Sequence, residues 1–209
     1  MPDLSYEQKH SSKFKYVIGV DEVGRGPWAG PVVACACVLP EGVDLPEAIT
    51  DSKKLTDKKR KVISDEIIHK IPYGLGVVSA QEIDDLNILQ ATFLAMHKAV
   101  KELATKLDIT NDEYFVLVDG NKLPPYDEFK NSESIVKGDS ISLTIAAGSI
   151  IAKVYRDELM AEYAKQHPHY AWEKNAGYGT KAHQEGLATH GVTELHRKSF
   201  KPIAALLQK

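Results

Sequence analysis

Four carboxylates stand where structural elements should end. The apolar start of VIGVDEVGRGPWAG runs into Asp21 and Glu22, Asp119 closes YFVLVDG, and Asp139 in VKGDS precedes a long helix expected from near Ser140. Open α/β sheets place their sites at the carboxyl ends of strands, where three of these acids fall. Clustered carboxylates repel one another and resist burial unless a cation compensates. An all-oxygen donor set suits Mg²⁺ or Mn²⁺ rather than zinc. Two such ions about 3.5–4 Å apart activate a water and stabilise the leaving oxygen in phosphodiester hydrolysis. Plainer uses exist for two of the acids: Asp139 as a helix cap, and Asp119-Gly120-Asn121 as a turn. Two acids ending an apolar strand, Asp21 and Glu22, meet no structural need.

The loop after them has two readings. Gly24, Gly26 and Ala29 fit G-x-G-x-x-A, with Asp44 about twenty residues on, as a dinucleotide site would want. Against that, Asp21 and Glu22 would face the pyrophosphate, and PVVACACVL after the loop reads as strand, not helix. The preferred reading is a loop whose backbone N–H groups approach a sugar-phosphate chain, since glycine has no Cβ to hold it off.

These residues need a sheet to carry them. KYVIGVDEV, PVVACACVL and YGLGVVS read as three strands, with TDKKRKVISDEIIHKI between the second and third as a helix capped by Thr56. SAQEIDDLNILQATFLAMHKAVKELATKL reads as one long amphipathic helix opened by a Ser79–Glu82 capping box. YFVLVDG is apolar enough for a strand covered on both faces, ESIVK is a candidate fifth strand, and SISLTIAAGSIIAKVYRDELMAEYAKQH is a second long helix. A meander followed by crossovers implies an α/β fold with a mixed sheet flanked by helices.

Composition narrows the class. A chain of 209 residues with 43% hydrophobic and 26% charged residues suits one soluble domain, with room for a small appendage. No apolar run is long enough to cross a membrane, and the polar start MPDLSYEQKHSSKFK lacks a secretory core. Cys35 and Cys37 would share one strand face, the pattern of buried thiols in a reducing cytoplasm. A net charge of −3 does not announce a polyanion binder, but residues 165–209 hold seven Lys or Arg against three acids. Any polyanion site should therefore be local. His183, His190 and His196 in this tail are expected as surface or packing residues.

The blocks DEVGRGPWAGPVV, DSKKL, VDGNK, KGDSISLTIAAGSIIAKVYRD and GYGTKAH, followed by HRKSF, occur in one order from about Lys15 to Ile203. In content and order they resemble type 2 ribonuclease H, the bacterial ribonuclease HII family. The resemblance implies a ribonuclease H-like fold: a five-stranded mixed sheet flanked by helices, with a helical C-terminal extension. The chain then divides into a polar segment 1–14, a catalytic core 15–165 and an extension 166–209 that contributes to substrate binding. It implies a cytoplasmic, monomeric endonuclease acting on RNA–DNA hybrids and on ribonucleotide-containing duplex DNA, cut on the 5′ side of the ribonucleotide.

Carried over motif by motif, Asp21, Glu22, Asp119 and Asp139 would be both catalytic and metal-binding, with Asp21 bridging two ions, Mn²⁺ or Mg²⁺. Gly24, Arg25 and Gly26 would bring main-chain groups to the ribose 2′-hydroxyl, which distinguishes RNA from DNA. Tyr178 in GYGT would contact the same hydroxyl and pack on the next sugar, and Ser52 and Lys53 in DSKKL would contact phosphate. The chain departs from the family pattern at Trp28, Gly148 and Tyr155, none of which removes a catalytic group.

Overall fold

The computed structural model describes residues 1–46, 49 and 55–208. Its strands are β1 (Tyr16–Val23), β2 (Val32–Val38), β3 (Tyr73–Val78), β4 (Tyr114–Asp119) and β5 (Ser132–Ile135). They form a single five-stranded sheet in the order β3-β2-β1-β4-β5. β2 runs antiparallel to both β1 and β3, whereas β4 runs parallel to β1 and β5. The expected meander with later crossovers is what the chain builds, and it puts β1 and β4 side by side at the centre.

Helices cover both faces: α1 (Ser5–Ser11), α2 (Asp57–Ile67), α3 (Ala80–Leu86), α4 (Ile88–Leu107) and α5 (Leu143–Gln166). The period of two along β2 decides what goes where. Val32, Ala34, Ala36 and Val38 pack with Ala95, Ala99 and Leu103 of α4. Cys35 and Cys37 face the opposite way, against Ala146, Ala147 and Ile150 of α5. Both thiols are free and buried, and burial pushes Cys37 up to about 12.

Two helical expectations change. The run from Ser79 is not continuous but breaks at Asn87, whose φ is 71°. The Ser79–Glu82 capping box does open α3. The Asn87 side chain then accepts from the N–H groups of Leu89 and Gln90 and starts α4 afresh. Asparagine supplies both the positive φ and the capping oxygen. The second helix starts at Leu143, not near Ser140, and Ser142 caps it by accepting from the Ile145 N–H. Asp139 instead sits in a separate 3₁₀ turn, Gly138–Ser140, so it does not cap α5.

The polar N-terminal segment is docked rather than loose. Asp3 pairs with Ser142, and the buried Glu7 of α1 accepts from the Ser142 hydroxyl at 2.6 Å and the Thr144 N–H at 2.9 Å. Past α5, the helices α6 (Trp172–Asn175), α7 (Lys181–His190) and α8 (Lys201–Leu207) follow. A separate small core of Ala29, Met160, Tyr170, Trp172, Leu187 and Ile203 joins this region to α5 and to the loop after β1. No helix among the described residues is long and apolar enough to cross a membrane.

Candidate active site

The register of β1 on β4 pairs Val20 with Val118, so Asp21 and Asp119 follow as neighbours where the two central strands end. Alternation turns Asp21 toward α5. Helix and strand touch there without side chains between them: a Cβ on Gly19 would lie 2.6 Å from the Ile145 nitrogen. Four residues along the helix rise about 6 Å, and two along the strand span about 6.6 Å. That match brings Ser149 to Asp21, and the serine hydroxyl donates to the carboxylate. The Glu22 N–H donates to the same group at 2.7 Å.

Asp21 is only 5% exposed. Burial raises its carboxyl well above the usual carboxylate range, and the charges of Glu22 and Asp119 push in the same direction. Asp119 accepts from the Gly138 N–H at 2.6 Å, which ties the end of β4 to the turn after β5. The next residue in that turn is Asp139, itself buried, with its Oδ1 3.4 Å from the Ser140 hydroxyl. The structure thus sets Glu22 and Asp119 within reach of the charge of Asp21 and hangs Asp139 beside Asp119 through Gly138.

Among the described residues, no three His, Cys, Asp or Glu side chains are already drawn together tightly enough to grip an ion. The donor chemistry nevertheless fits a divalent cation. A buried carboxylate raised by two more is the situation a hard cation relieves, and the donors are all oxygen.

The loop from Gly24 to Pro31 is held from behind by two arginines that the sequence reading assigned no role. Arg197, fully buried, donates to the carbonyls of Gly24, Arg25 and Gly30 at 2.5, 2.9 and 2.9 Å. Arg156 donates to Pro31 at 2.9 Å and to Ala29 at 3.3 Å, and reaches across to Ala176 at 2.9 Å. With its carbonyls turned inward, the loop leaves the N–H groups of Gly24, Arg25 and Gly26 without an acceptor among the described residues. Gly24 has a φ of 97°, and a Cβ there would collide with Arg156, so both conformation and space require glycine. The loop continues directly into β2, with no helix N-terminus to receive a pyrophosphate, which removes the dinucleotide reading.

The Arg25 side chain is exposed and pairs with Glu22 at 3.5 Å. Tyr178 stands over Gly26: a Cβ on that glycine would lie 3.2 Å from the ring, which is 49% exposed. Trp28 fills the space beside Gly179, where any Cβ would meet its ring. A groove next to Tyr178 is lined by Arg60, Lys61, Lys153 and Lys174 together with four carboxylates. Its charge is mixed rather than basic. Ser52 and Lys53 lie outside the described residues.

The Ribonuclease HII family model matches residues 18–203. This chain belongs to the ribonuclease HII family. A ribonuclease HII of Wolbachia sp. subsp. Brugia malayi (strain TRS) is 50% identical over 202 residues, 97% of this chain and 94% of the relative. The ribonuclease H2 of Pyrococcus horikoshii OT3 shares the fold with a TM-score of 0.71 at 23% identity, covering 92% of this chain and 97% of that one. Bst-RNase HIII in complex with Mn²⁺ does so with a TM-score of 0.72 at 19% identity, covering 94% of this chain and 70% of that one. The chain is therefore a type 2 ribonuclease H enzyme, an endonuclease on the RNA of RNA–DNA hybrids. Within this ribonuclease HII scaffold the residues missed from sequence are Ser149, Arg156 and Arg197. The only signal for them was their place inside the KVYRD, AAGSII and HRKSF blocks.

Proposed function

We propose that the chain both cuts the RNA strand of hybrids and nicks duplex DNA on the 5′ side of a single embedded ribonucleotide, leaving 3′-hydroxyl and 5′-phosphate ends. The observation carrying this reading is the crowding of Asp21 by Glu22 and Asp119 directly beside a loop that offers main-chain donors. Asp21, Glu22, Asp119 and Asp139 would hold two divalent ions, Mn²⁺ or Mg²⁺. Bound there, such ions supply a water of lowered pKa and charge stabilisation for the departing 3′ oxygen. Bst-RNase HIII binding Mn²⁺ supports manganese as one of the choices.

The chain's own residues do the rest. Ser149 and the Glu22 N–H orient Asp21. The Gly138 N–H orients Asp119. The N–H groups at Gly24–Gly26, which find no acceptor among the described residues, suit a ribose hydroxyl. Tyr178, over Gly26 and half exposed, is placed to pack on the following sugar. A 2′-hydroxyl on that next sugar would crowd the ring, which favours a ribonucleotide followed by deoxyribose. In the cell this is ribonucleotide excision from DNA by a cytoplasmic monomer. Residues 15–165 form the catalytic core, and 166–209 form the extension that supplies Tyr178.

The test is a labelled duplex carrying one ribonucleotide, cut and mapped to the nucleotide with EDTA, Mg²⁺ or Mn²⁺. A single nick 5′ of the ribonucleotide, absent in EDTA and restored by either ion, is expected. Cleavage in EDTA would remove the metal from the reading. Cleavage of hybrids alone would remove the repair role.

A further inference from the structure

His183 and His196 have no part in the chemistry above, yet both are fully buried and their Nε2 atoms lie 3.0 Å apart. Their neighbours settle where the protons sit. The Thr193 N–H points at Nδ1 of His196 at 2.9 Å, and the Thr193 hydroxyl, able to donate or accept, lies 2.9 Å from the same nitrogen. A main-chain N–H can only donate, so that nitrogen accepts and the His196 proton is on Nε2. The Trp172 indole N–H, also donor only, points at Nε2 of His183 at 3.2 Å. Nε2 of His183 is therefore an acceptor, for Trp172 and for His196 alike. The His183 proton must then be on Nδ1, which lies 3.0 Å from the carbonyl of Tyr178. Hydrogen bonds run one way, from Thr193 through His196 and His183 to the Tyr178 carbonyl, and each step dictates the next.

The far end of that chain is the residue proposed to read the junction. Its carbonyl has one other donor, the Thr180 N–H at 2.8 Å. The ring is half exposed, so its direction is set largely by its own main chain. The near end touches the glycine loop as well, because His196 bridges to Ala29 and Trp28 packs near His183 with ring centroids 5.9 Å apart.

We propose that His183, held in its Nδ1–H tautomer by His196, is a positioning residue that sets the main chain at Tyr178 and so the seat of the ring over Gly26. This rests on the junction-reading role given to Tyr178 above. His196 and Trp172 act through His183 and touch no substrate.

Two measurements test it. Long-range ¹H–¹⁵N NMR on the histidine-labelled protein at neutral pH should show His183 protonated on Nδ1 and His196 on Nε2. A proton on Nε2 of His183 would overturn the proposal without any variant. The second measurement is selectivity, taken as kcat/KM at a single ribonucleotide over kcat/KM at an all-RNA strand in a hybrid. His183→Phe keeps a ring but loses the donor, and should lower selectivity about tenfold, the scale of one hydrogen bond. It should lower it no further in a Tyr178→Ala background. His183→Asn, whose amide N–H stands near Nδ1, should recover most of the loss. Additive effects of the two substitutions, or unchanged selectivity in His183→Phe, would defeat the proposal. Unchanged selectivity in Tyr178→Ala would instead reject the parent reading and the inference with it, an outcome told apart by that single variant.

Discussion

Arg197 reaches back 173 residues to hold Gly24, with Nη2 2.5 Å from its carbonyl, while its guanidinium carbon lies 5.1 Å from the Phe200 ring centre. The C-terminal segment thereby fixes the loop that follows the two acids of β1. A lysine keeps the charge but cannot direct three donors in a fixed fork. Arg197→Lys should cost about 2–4 kcal/mol of stability in urea unfolding, because buried carbonyls lose charged partners. It should also lower kcat/KM at a single ribonucleotide even where the protein is fully folded. Wild-type kinetics in a folded Arg197→Lys protein would mean that the loop holds its shape without the clamp.

Asp21 works against the fold that holds it. Its carboxyl is raised in the folded chain by burial and by Glu22 and Asp119, so the charged form is disfavoured there relative to the unfolded chain. The sign follows: the folded state gains from protonated Asp21 below the unfolded value, and that gain is lost as pH rises through the higher folded value. Asp21→Asn should therefore raise the melting temperature at neutral pH in EDTA while reducing cleavage roughly 10²–10³-fold or more. A variant that is both less stable and fully active would contradict the site.

Much of this frame was legible in the sequence because local signals agreed with the global fold. The apolar run into Asp21 and the one into Asp119 are strands, Cys35 and Cys37 do share a face, and Thr56 and the Ser79–Glu82 box start their helices. What stayed hidden depends on partners far along the chain. Nothing local in KVYRD or HRKSF says that a guanidinium will turn inward to carbonyls more than 120 residues earlier. Glu7 in a polar leader looks solvated until Ser142 and Thr144, 135 and 137 residues on, are seen to donate to it. Asn87 hid for another reason: one asparagine in a strongly periodic run does not announce a positive φ. His183 and His196 were expected at the surface or in packing, and they are packing residues, fully buried with their Nε2 atoms 3.0 Å apart.

Glu7 caps a helix that is not its own. One carboxylate oxygen takes both the Ser142 hydroxyl and the Thr144 N–H at the start of α5, three residues past the acid of the 3₁₀ turn. Negative charge at a helix N-terminus is favourable, more so when partly buried. Glu7→Ala should cost about 2 kcal/mol in urea unfolding, combining a lost cap with an orphaned donor. The Asp139 turn is joined to the same contact, so divalent-ion affinity measured by calorimetry should weaken too. A stability change below about 0.5 kcal/mol would place Glu7 among ordinary surface substitutions.

The histidine pair makes stability fall in mild acid. Burial, and then the neighbouring His183, hold His196 down to about 4, against about 6.5 in an unfolded chain. Burial lowers His183 as well. Between those values the unfolded chain binds a proton that the folded chain refuses, so this contribution to stability is full above pH 6.5 and declines toward pH 4, against the opposite contribution of the raised Asp21 carboxyl. Protonated His196 would turn its second N–H toward the Thr193 N–H and hydroxyl, and protonated His183 would point one at Trp172 and His196. Main-chain hydrogen bonding at Thr193 and the charge of Glu194 favour the charged form of His196 and His167 opposes it, but all three stand behind burial and His183 in size. From pH 7 to pH 5, where most carboxylates stay ionised, His196 alone should remove about 1–2 kcal/mol. Urea unfolding at half-unit pH steps in an Asp21→Asn background, which removes the opposing carboxyl, reads this directly. His196→Gln keeps an amide donor toward His183 but cannot titrate; it should be less stable than wild type at pH 7 and show a flatter decline. An equally steep decline in His196→Gln would move the acid sensitivity to other groups.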